Sequence, residues 1–337
     1  MWFFQRENFS MTVRRRVLCL AILAVLVAAG VLAYLYLPRS PKLADGKMRF
    51  AICQYDSRPG FIQWSIRHAL SYAQEAADHG AGFIVLPEYS FCTADDTLNG
   101  NAFFYFRKKA AKIQRRLSAF SRRNRCYLLV NIPYEESGKI KEGELLPPRK
   151  NRSLLFDPSG RIVAKYEKRN IAFLDSFGGV RRGDSEALVE LPFGKVGLMI
   201  CRDASYGRKY PSYREADIVI VQFAHITDWT SDKERDPAWL TNDIGSSLAD
   251  FPKIGKRLAL SFQRPTALFA NKTGFEPDGG FTGGSCAIGA DGTILARAGT
   301  YADILYMDYA LDENGRIRID EPPVQALKKA VQEPRKE

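Results

Sequence analysis

Apolar residues lie along the chain in short runs that alternate with longer stretches of helical spacing. Met48 to Gln54 and Gly82 to Pro87 are dominated by apolar residues, which is typical of strands buried on both faces. Between these runs, apolar residues at helical spacing predict an amphipathic helix that Gly80 ends. They are Ile62, Ile66, Ala69, Leu70, Ala73 and Ala77. Strands that alternate with helices predict an α/β protein.

The same pattern continues through the rest of the chain. It predicts a second helix from about Phe103 to Arg123 and a helical stretch from about Pro237 to Ser261. The remaining apolar runs predict strands at Tyr127–Ile132, Ser153–Phe156, Ile162–Tyr166, Val196–Ile200, Ile218–Phe223, Ala267–Ala270, Ser285–Ile288 and Ile294–Ala296.

Two distant segments share one hairpin pattern. A Ser that opens a strand stands seven residues before a Gly in both, as Ser153 before Gly160 and as Ser285 before Gly292. Each Gly can supply the turn of a β-hairpin. Two such hairpins suggest a pseudo-symmetric core of two sheets, and the alternative is a chance match between two common hairpins.

The N-terminal segment has a different pattern. Val17 to Leu37 carries no charge and is long enough to span the hydrocarbon core of a bilayer, and Arg14–Arg16 precede it. We therefore expect a transmembrane anchor, with residues 1–16 in the cytoplasm and the rest of the chain exported. A signal peptide cleaved near Val31–Ala33 and a buried core helix are the alternatives. Arg39 and other basic residues after the segment leave its orientation open.

Composition narrows the classes of function. The chain has 337 residues, 46% of them hydrophobic, which suits one large domain or two small ones with an ample core. Its net charge of +11 points to an anionic partner, either a membrane surface or nucleic acid. The six cysteines form no CxxC pair and the three histidines show no metal-ligand spacing. We therefore expect no structural metal site and no disulfide framework.

Part of this charge lies on the second predicted helix. The segment Arg107–Arg125 contains nine basic residues and no acidic one. An apolar stripe on the same helix should face the core, and it consists of Phe106, Ala110, Ile113, Leu117 and Phe120. The basic residues then form either a solvated face or a contact with anionic lipid head groups. Nucleic acid is not an expected partner, because no recognisable nucleic-acid module accompanies the charge.

Three apolar strands are each followed by a residue with catalytic potential. These residues are Glu88, Lys168 and Cys201. Sites in open α/β sheets gather beyond the carboxyl ends of strands, so the three side chains can meet there. Each has an ordinary alternative, as a solvated loop glutamate, an exposed lysine and a small buried cysteine. Lys165 is the alternative lysine, three residues earlier.

Together these groups can carry out acyl transfer. A cysteine is a strong nucleophile as a thiolate, and Glu88 can take the proton of Cys201 if burial raises the pKa of the carboxyl. Attack on an amide or nitrile carbon builds negative charge. The Lys168 ammonium and a backbone N–H beside Cys201 can stabilise that charge.

The combination of motifs resembles the carbon–nitrogen hydrolase (nitrilase) superfamily. Four segments carry the resemblance, in the order of the family. They are the strand Gly80–Glu88 ending in Pro-Glu, the hairpin Asp157–Gly160 leading to Tyr166-Glu167-Lys168, the elbow Gly197–Asp203 around Cys201, and the late hairpin of Gly283–Ser285 with Asp291-Gly292. The resemblance covers about Met48 to Asp308, which is most of the chain.

This resemblance implies a fold and an activity. The fold is a four-layer α-β-β-α sandwich, and the catalytic triad is Glu88, Lys168 and Cys201. The implied reaction is hydrolysis of an amide, carbamoyl or nitrile C–N bond through a thioester, without a metal or an organic cofactor. The expected substrate is a small or lipid-linked amide, and association into homo-oligomers is common in the family. The alternatives are an N-acyltransferase acting on a lipid or lipoprotein amine, and an inactive membrane-tethered binding module.

The resemblance also suggests a division of the chain into five parts. They are a basic segment at 1–16, an anchor at 17–37, a linker at 38–47, the carbon–nitrogen hydrolase domain at 48–312 and a polar tail at 313–337.

The sequence departs from the family at three positions near the expected site. Asn170 replaces a His that often follows the lysine, and Arg202 replaces a Tyr that often follows the cysteine. A second Glu of the family falls by rough register at Asp175 or Ser176. Because a buried lysine needs a carboxylate partner, we hypothesise that Asp175 supports Lys168, the alternative being an ordinary turn residue. Arg202 is a second candidate for a supporting role.

Overall fold

The computed structural model describes residues 17–31, 39–136, 147–227, 250–262, 266–276 and 279–326. These residues belong to two units, Met1–Arg39 and Ser40–Glu337. In the first unit, residues 17–31 form helix α1, and all their side chains are exposed. No helix in the described ranges has both the length and the apolar character needed to cross a membrane. Residues 32–37 of the predicted anchor lie outside those ranges.

The second unit contains a seven-stranded sheet in the order β16-β15-β1-β2-β3-β4-β5. Its central strands β1, β2 and β3 run parallel, and the outer pairs are antiparallel. The central strands are almost entirely buried, which explains their continuous apolar sequences. With strands numbered along the chain, the members are β1 Met48–Gln54, β2 Phe83–Val85, β3 Tyr127–Glu135, β4 Arg149–Phe156, β5 Ile162–Glu167, β15 Asp303–Tyr309 and β16 Val324–Gln325.

A six-stranded sheet has the order β14-β13-β10-β8-β7-β6, again with three parallel strands at its centre. Its members are β6 Leu188–Leu191, β7 Gly194–Ile200, β8 Ile218–Gln222, β10 Thr266–Ala270, β13 Cys286–Ile288 and β14 Ile294–Arg297. A third, small sheet in the order β11-β12-β9 joins β9 Ile226–Thr227, β11 Thr273–Glu276 and β12 Gly279–Thr282.

Helices cover the outer faces of the two large sheets. Within the described part of the second unit, the α-helices are α2 Ile62–Asp78, α3 Ala94–Leu98, α4 Asn101–Asn124, α5 Phe173–Phe177 and α6 Asp250–Phe262, and two 3₁₀ segments lie at Cys201–Lys209 and Pro211–Glu215. The apolar positions predicted for α2 are all buried, and Gly80 follows the helix with φ +81°. Of the helical stretch predicted at 237–261, residues 237–249 lie outside the described residues.

The core has two parts, which define the layers. One cluster lies between the two large sheets and includes Phe50 and Phe83 from the first and Leu198 and Ile220 from the second. The other packs α2 and α4 against the outer face of the first sheet. Helix α6 and the 3₁₀ segments join the core on the side of the second sheet. The second unit is therefore the predicted α-β-β-α sandwich.

The predicted hairpins are confirmed, one in each large sheet. Strands β4 and β5 pair antiparallel around Gly160, and β13 and β14 pair antiparallel around Gly292. Both glycines have φ near +85°, at +84° and +85°, a conformation that residues with a Cβ rarely adopt. Each large sheet thus contains one of the two predicted hairpins.

The predicted stripe of α4 needs one correction. Phe106, Ile113, Leu117 and Phe120 are buried as expected, but Ala110 is exposed. An alanine tolerates exposure at little cost, since most protein surface is apolar in any case. The buried face is correspondingly narrower than the sequence indicated.

Segments at both ends of the predicted domain pack onto it. The Lys42 N–H donates to the Arg125 carbonyl at 2.9 Å, and Ala44 and Lys47 form an antiparallel bridge. At the other end, β16 adds an edge strand to the first sheet through β15. The second unit therefore includes residues before 48 and after 312, beyond the predicted bounds of the domain.

Candidate active site

The ends of β2, β5 and β7 bring the predicted residues together. The Glu88 N–H donates to the Phe223 carbonyl at 3.2 Å, and the Ala224 N–H donates to Glu88 Oε2 at 2.9 Å. These two bonds join the end of β2 in one sheet to the end of β8 in the other. Strand β8 neighbours β7 and pairs Gln222 with Ile200, so Cys201 emerges beside Glu88.

Lys168 lies between two carboxylates. Its Nζ donates to Glu88 Oε1 at 2.8 Å and lies 2.6 Å from Asp175 Oδ2. All three side chains are at most 4% exposed. Lys165, the alternative lysine, is exposed on β5. The lysine within the carboxylate cluster is therefore Lys168.

The short helix α5 places Asp175 at Lys168. Its Oδ2 also accepts the Ala172 N–H at 2.9 Å, and its Oδ1 accepts the Tyr89 hydroxyl at 2.7 Å. Ser176, the other position considered for the family's second Glu, is exposed, and its hydroxyl lies within bonding distance of the Ala172 carbonyl. Asp175 thus occupies the place beside the lysine, and every oxygen of its carboxylate has a donor.

A pair of buried asparagines orients Glu88. Asn151 Nδ2 donates to Glu88 Oε1 at 2.8 Å, and Asn131 Nδ2 donates to Asn151 Oδ1 at 2.7 Å. Asn131 Oδ1 accepts the Tyr89 N–H at 2.8 Å, which closes the network around the turn after β2. Sequence reasoning missed both asparagines. For Asn131 the available signal was an amide side chain inside an apolar run, where buried polar groups need a partner, whereas Asn151 stands among basic residues and gave no such signal.

Cys201 sits on a strained turn between β7 and the first 3₁₀ segment. Its φ is +47°, and that of Tyr89, next to Glu88, is +49°. Such a conformation costs a residue with a Cβ about 1–3 kcal/mol, and strain of this kind clusters at functional sites. A hydrogen bond from this turn to the side chain of Asp203 stabilises the strained conformation.

Asp203 ties the cysteine turn to the strand that carries Lys168. Its Oδ2 accepts the Ile200 N–H at 3.1 Å and the Tyr166 hydroxyl at 2.7 Å. Its Oδ1 accepts the backbone N–H of Asn170 at 2.7 Å and the side-chain amide of the same residue at 2.9 Å. Asn170, which stands where the family often has a His, therefore has a positioning contact of its own.

The electrostatics of the cluster follow from burial and charge. Burial raises the pKa of the Glu88 carboxyl above its ordinary value, although Lys168 acts in the opposite direction. Burial also opposes ionisation of Asp175, but the Lys168 ammonium and the Tyr89 hydroxyl outweigh it and lower the pKa of that carboxyl. The two carboxyls therefore differ in basicity, with Glu88 the more basic.

The pKa values of Lys168 and Cys201 are both raised. Burial would lower the pKa of Lys168, but the negative charges of Glu88 and Asp175 raise it well above its usual range. Burial raises the pKa of the Cys201 thiol, and the negative charge of Glu88 raises it further, whereas Lys168 lowers it. At rest the site thus holds an ammonium, an ionised Asp175 and a protonated thiol.

The side chain of Arg202 does not join the cluster of Glu88, Lys168 and Asp175. Its side chain is exposed, and its Nη2 lies 3.4 Å from the Tyr206 hydroxyl, four residues further along the same 3₁₀ segment. The supporting role considered for Arg202 stays a prediction. Within the described ranges, no three His, Cys, Asp or Glu side chains are grouped so as to hold a metal ion.

Known proteins share this fold and sequence pattern. The family model for carbon–nitrogen hydrolases matches residues 49–319. Human omega-amidase NIT2 is 24% identical over 265 residues, which are 75% of this chain and 86% of the relative. Omega-amidase NIT2 of Xenopus tropicalis is 28% identical over 171 residues, 48% of this chain and 56% of the relative.

Solved structures also match. One is a variant of the amidase from Nesterenkonia sp. AN1 with the acetamide moiety of fluoroacetamide attached covalently to its active-site cysteine. It aligns with a TM-score of 0.61 at 21% identity, covering 80% of this chain and 93% of its own. The chain belongs to the carbon–nitrogen hydrolase family. It is an amidase- or nitrilase-like enzyme.

Proposed function

We propose that the protein hydrolyses the C–N bond of an amide through a thioester on Cys201. The observation that carries the proposal is the buried Glu88–Lys168–Asp175 cluster at the strand end from which Cys201 emerges. The amidases among its relatives support an amide as the substrate class. The amide is carried by a small molecule or by a lipid.

In the first half of the reaction, Glu88 acts as the base. Its carboxylate takes the proton of the Cys201 thiol as the sulfur attacks the amide carbon. The carbonyl electrons move onto the oxygen, where the Lys168 ammonium and a backbone N–H beside Cys201 stabilise the negative charge. Protonated Glu88 then gives its proton to the departing nitrogen. The C–N bond breaks, ammonia or an amine leaves, and a thioester remains.

In the second half, water attacks the thioester. Glu88 takes a proton from the water and returns it to the sulfur as the C–S bond breaks. A carboxylic acid is released and the thiol is restored. The raised pKa of Glu88 suits these transfers, because a base works best with a pKa near the working pH.

The proposal is tested by trapping the intermediate. The full chain is incubated with a panel of short-chain and lipid-linked amides, quenched in acid and digested, and the peptide containing Cys201 is weighed by mass spectrometry. We expect the mass of the acyl group on that peptide, together with release of ammonia or amine. Release of ammonia with the acyl group on another cysteine, or with no acyl group on Cys201, contradicts the mechanism. If boiled protein gives the same acylated peptide, the acyl group has been attached by an uncatalysed reaction and not by the enzyme.

We assign Asp175 the role of holding Lys168 toward the reacting carbon. In an Asp175→Asn variant, the lysine keeps Glu88 and loses its second carboxylate. We expect kcat to fall by about tenfold or more, since small misplacements of catalytic groups are costly. The charge of Asp175 also raises the pKa of Glu88. Its removal should therefore lower that pKa, and the acid limb of the pH profile of kcat/KM should move to lower pH.

The matched control for this variant is Ser176→Ala. Ser176 lies on the same helix and is exposed, so its replacement should leave both kcat and the acid limb unchanged. If Asp175→Asn matches the wild type in kcat and in the position of the limb, Asp175 is an ordinary turn residue.

We further propose that residues 17–37 anchor the enzyme in a membrane, with residues 1–16 in the cytoplasm and the catalytic domain outside it. The support is the uncharged segment of suitable length that follows Arg14–Arg16. An alkaline phosphatase fused after Glu337 should then be active, because that reporter folds only in an oxidising compartment. If a reporter that works only in the cytoplasm is active at the same position, the orientation is the opposite of the one proposed.

A further inference from the structure

Helix α5 has two opposite sides. Asp175 points inward and is buried, while Phe173, Leu174 and Phe177 are exposed to 71%, 43% and 67%. The rings of Phe173 and Phe177 contact each other edge to face, with centroids 4.7 Å apart. A helix of five residues thus holds the lysine of the active site on one side and presents two large aromatic rings on the other.

The end of α5 lies near the start of α4, and Arg149 links the two. Arg149 Nη1 donates to the carbonyl of Gly178, the residue after α5, at 3.1 Å. The same guanidinium lies 4.7 Å from the centroid of the Phe103 ring on α4. The next residue, Phe104, is 55% exposed. We call the exposed group of Phe104, Phe173, Leu174 and Phe177 the aromatic lip.

Cations surround the aromatic lip. Arg107 and Lys108 lie 5.6 and 5.8 Å from the centroid of the Phe104 ring. The exposed face of α4 continues from there with more basic side chains, namely Lys109, Lys112, Arg115 and Arg116. Arg181 and Arg182, shortly after α5, are exposed as well, and the Arg181 N–H donates to the Arg149 carbonyl at 2.8 Å. Arg107 is paired with Glu135 at 2.6 Å, so the positive charge of this surface comes mainly from the other basic side chains.

We propose that the aromatic lip and the basic face of α4 form a contact surface for an anionic lipid bilayer. Aromatic rings favour the boundary between head groups and acyl chains, and basic side chains bind the anionic head groups beside them. A second copy of this chain fits the surface less well. In a two-fold dimer formed through this surface, the basic residues of one copy would lie close to the basic residues of the other, and these like charges would repel.

This surface lies directly behind the active site. Phe173, Leu174 and Phe177 are within two residues of Asp175 on the same short helix, and Asp175 is bonded to Lys168. Contact with the bilayer would therefore hold the Glu88–Lys168–Asp175 cluster close to the lipid head groups. The proposal concerns the surface alone and stands independently of the catalytic roles, because its test measures lipid contact.

The test uses tryptophan as a local reporter. Full chains that carry Phe173→Trp or Phe177→Trp are reconstituted into vesicles of phosphatidylglycerol and phosphatidylcholine. The acyl chains of these lipids are brominated, so that they quench the fluorescence of a nearby tryptophan. The quenching of the added tryptophan is measured against the wild-type chain. We expect strong quenching in these vesicles and weak quenching in phosphatidylcholine alone. The matched control is Tyr301→Trp, an exposed aromatic position on the connection between β14 and β15, which should not be quenched. Because the reporter is local, an N-terminal anchor does not produce the signal.

A second set of variants tests the charge. Lys108→Gln, Lys112→Gln and Arg115→Gln are combined in the Phe173→Trp chain, and each lost cation should weaken docking about fivefold, or about 10²-fold together. The matched control removes three exposed cations elsewhere, with Lys47→Gln, Arg214→Gln and Arg297→Gln, and should keep the quenching. Absence of quenching at 173 and 177, or equal quenching in neutral and anionic vesicles, overturns the proposal. So does emission that shifts only with protein concentration, which would mean that another protein copy covers the lip.

Discussion

A Cys201→Ala variant is expected to lose amide hydrolysis by on the order of 10⁶-fold in kcat, the scale reached when a catalytic nucleophile is removed. Alanine lacks the sulfur that forms the thioester, and neither Glu88 nor Lys168 can replace it as a nucleophile, because they are paired with each other. The measurement is steady-state release of ammonia from the best amide found in the trapping experiment. No acyl group should then attach to the peptide that contains position 201.

The fold should survive this substitution. Cys201 is only partly buried, and alanine keeps the Cβ that the turn already accommodates at φ +47°. The matched control is Cys286→Ala, which removes a sulfur from a fully buried position on β13 outside the site. It should lower the thermal midpoint and leave kcat unchanged. Full activity in a folded Cys201→Ala protein would end the proposal that Cys201 is the nucleophile.

Replacing Lys168 with Ala is expected to affect both catalysis and stability. Loss of one donor to the developing negative charge typically lowers kcat by about 10²–10³. The substitution also leaves Glu88 and Asp175 buried without their shared cation, which costs about 3–5 kcal/mol in the free energy of unfolding. Kinetics at saturating substrate and chemical denaturation measure the two effects separately.

The pH dependence of the stability loss has a definite sign. The pKa of Asp175 is lowered in the folded protein, so the stability that its pairing contributes is present above its unfolded pKa. That contribution is lost as the pH falls through the folded pKa. The difference between wild type and Lys168→Ala should therefore be largest near neutral pH and shrink in acid.

Lys165→Ala is the matched control for the lysine. Lys165 is on the same strand, three residues earlier, and its side chain is exposed. Its replacement should change neither kcat nor the unfolding midpoint. The opposite pattern, with loss of activity in Lys165→Ala and normal activity in Lys168→Ala, would show that the catalytic lysine has been assigned wrongly.

Much of the framework could be predicted because buried parallel strands have a strong signature. The runs that became β1, β2, β7 and β8 are continuous in apolar residues, and the residues that follow them converge by the geometry of the sheets. The predictions missed α3 and α5, each five residues long, which are too short to show a period. Helix α3 is started by a local capping box between Thr93 and Asp96.

Other elements depend on partners far away in the sequence. Strand β15, Asp303–Tyr309, was not predicted, and it is stabilised by antiparallel pairing with β1 at the other end of the domain. The asparagines around Glu88 were missed for a similar reason. Asn131 and Asn151 lie on different strands, and only the register of β3 against β4 brings their side chains together. Asp175 could be named in advance because the family resemblance places a second carboxylate on the connection that follows Lys168.

The raised pKa of the Cys201 thiol has a consequence for the lifetime of the enzyme. Peroxides, disulfides and alkylating agents react with thiolates, and burial next to Glu88 keeps this sulfur protonated at rest. The nucleophile is activated only when a substrate carbon is in place to receive the sulfur as Glu88 takes the proton. The resting enzyme should therefore react slowly with such reagents, and its sulfur should become reactive mainly while a substrate is bound.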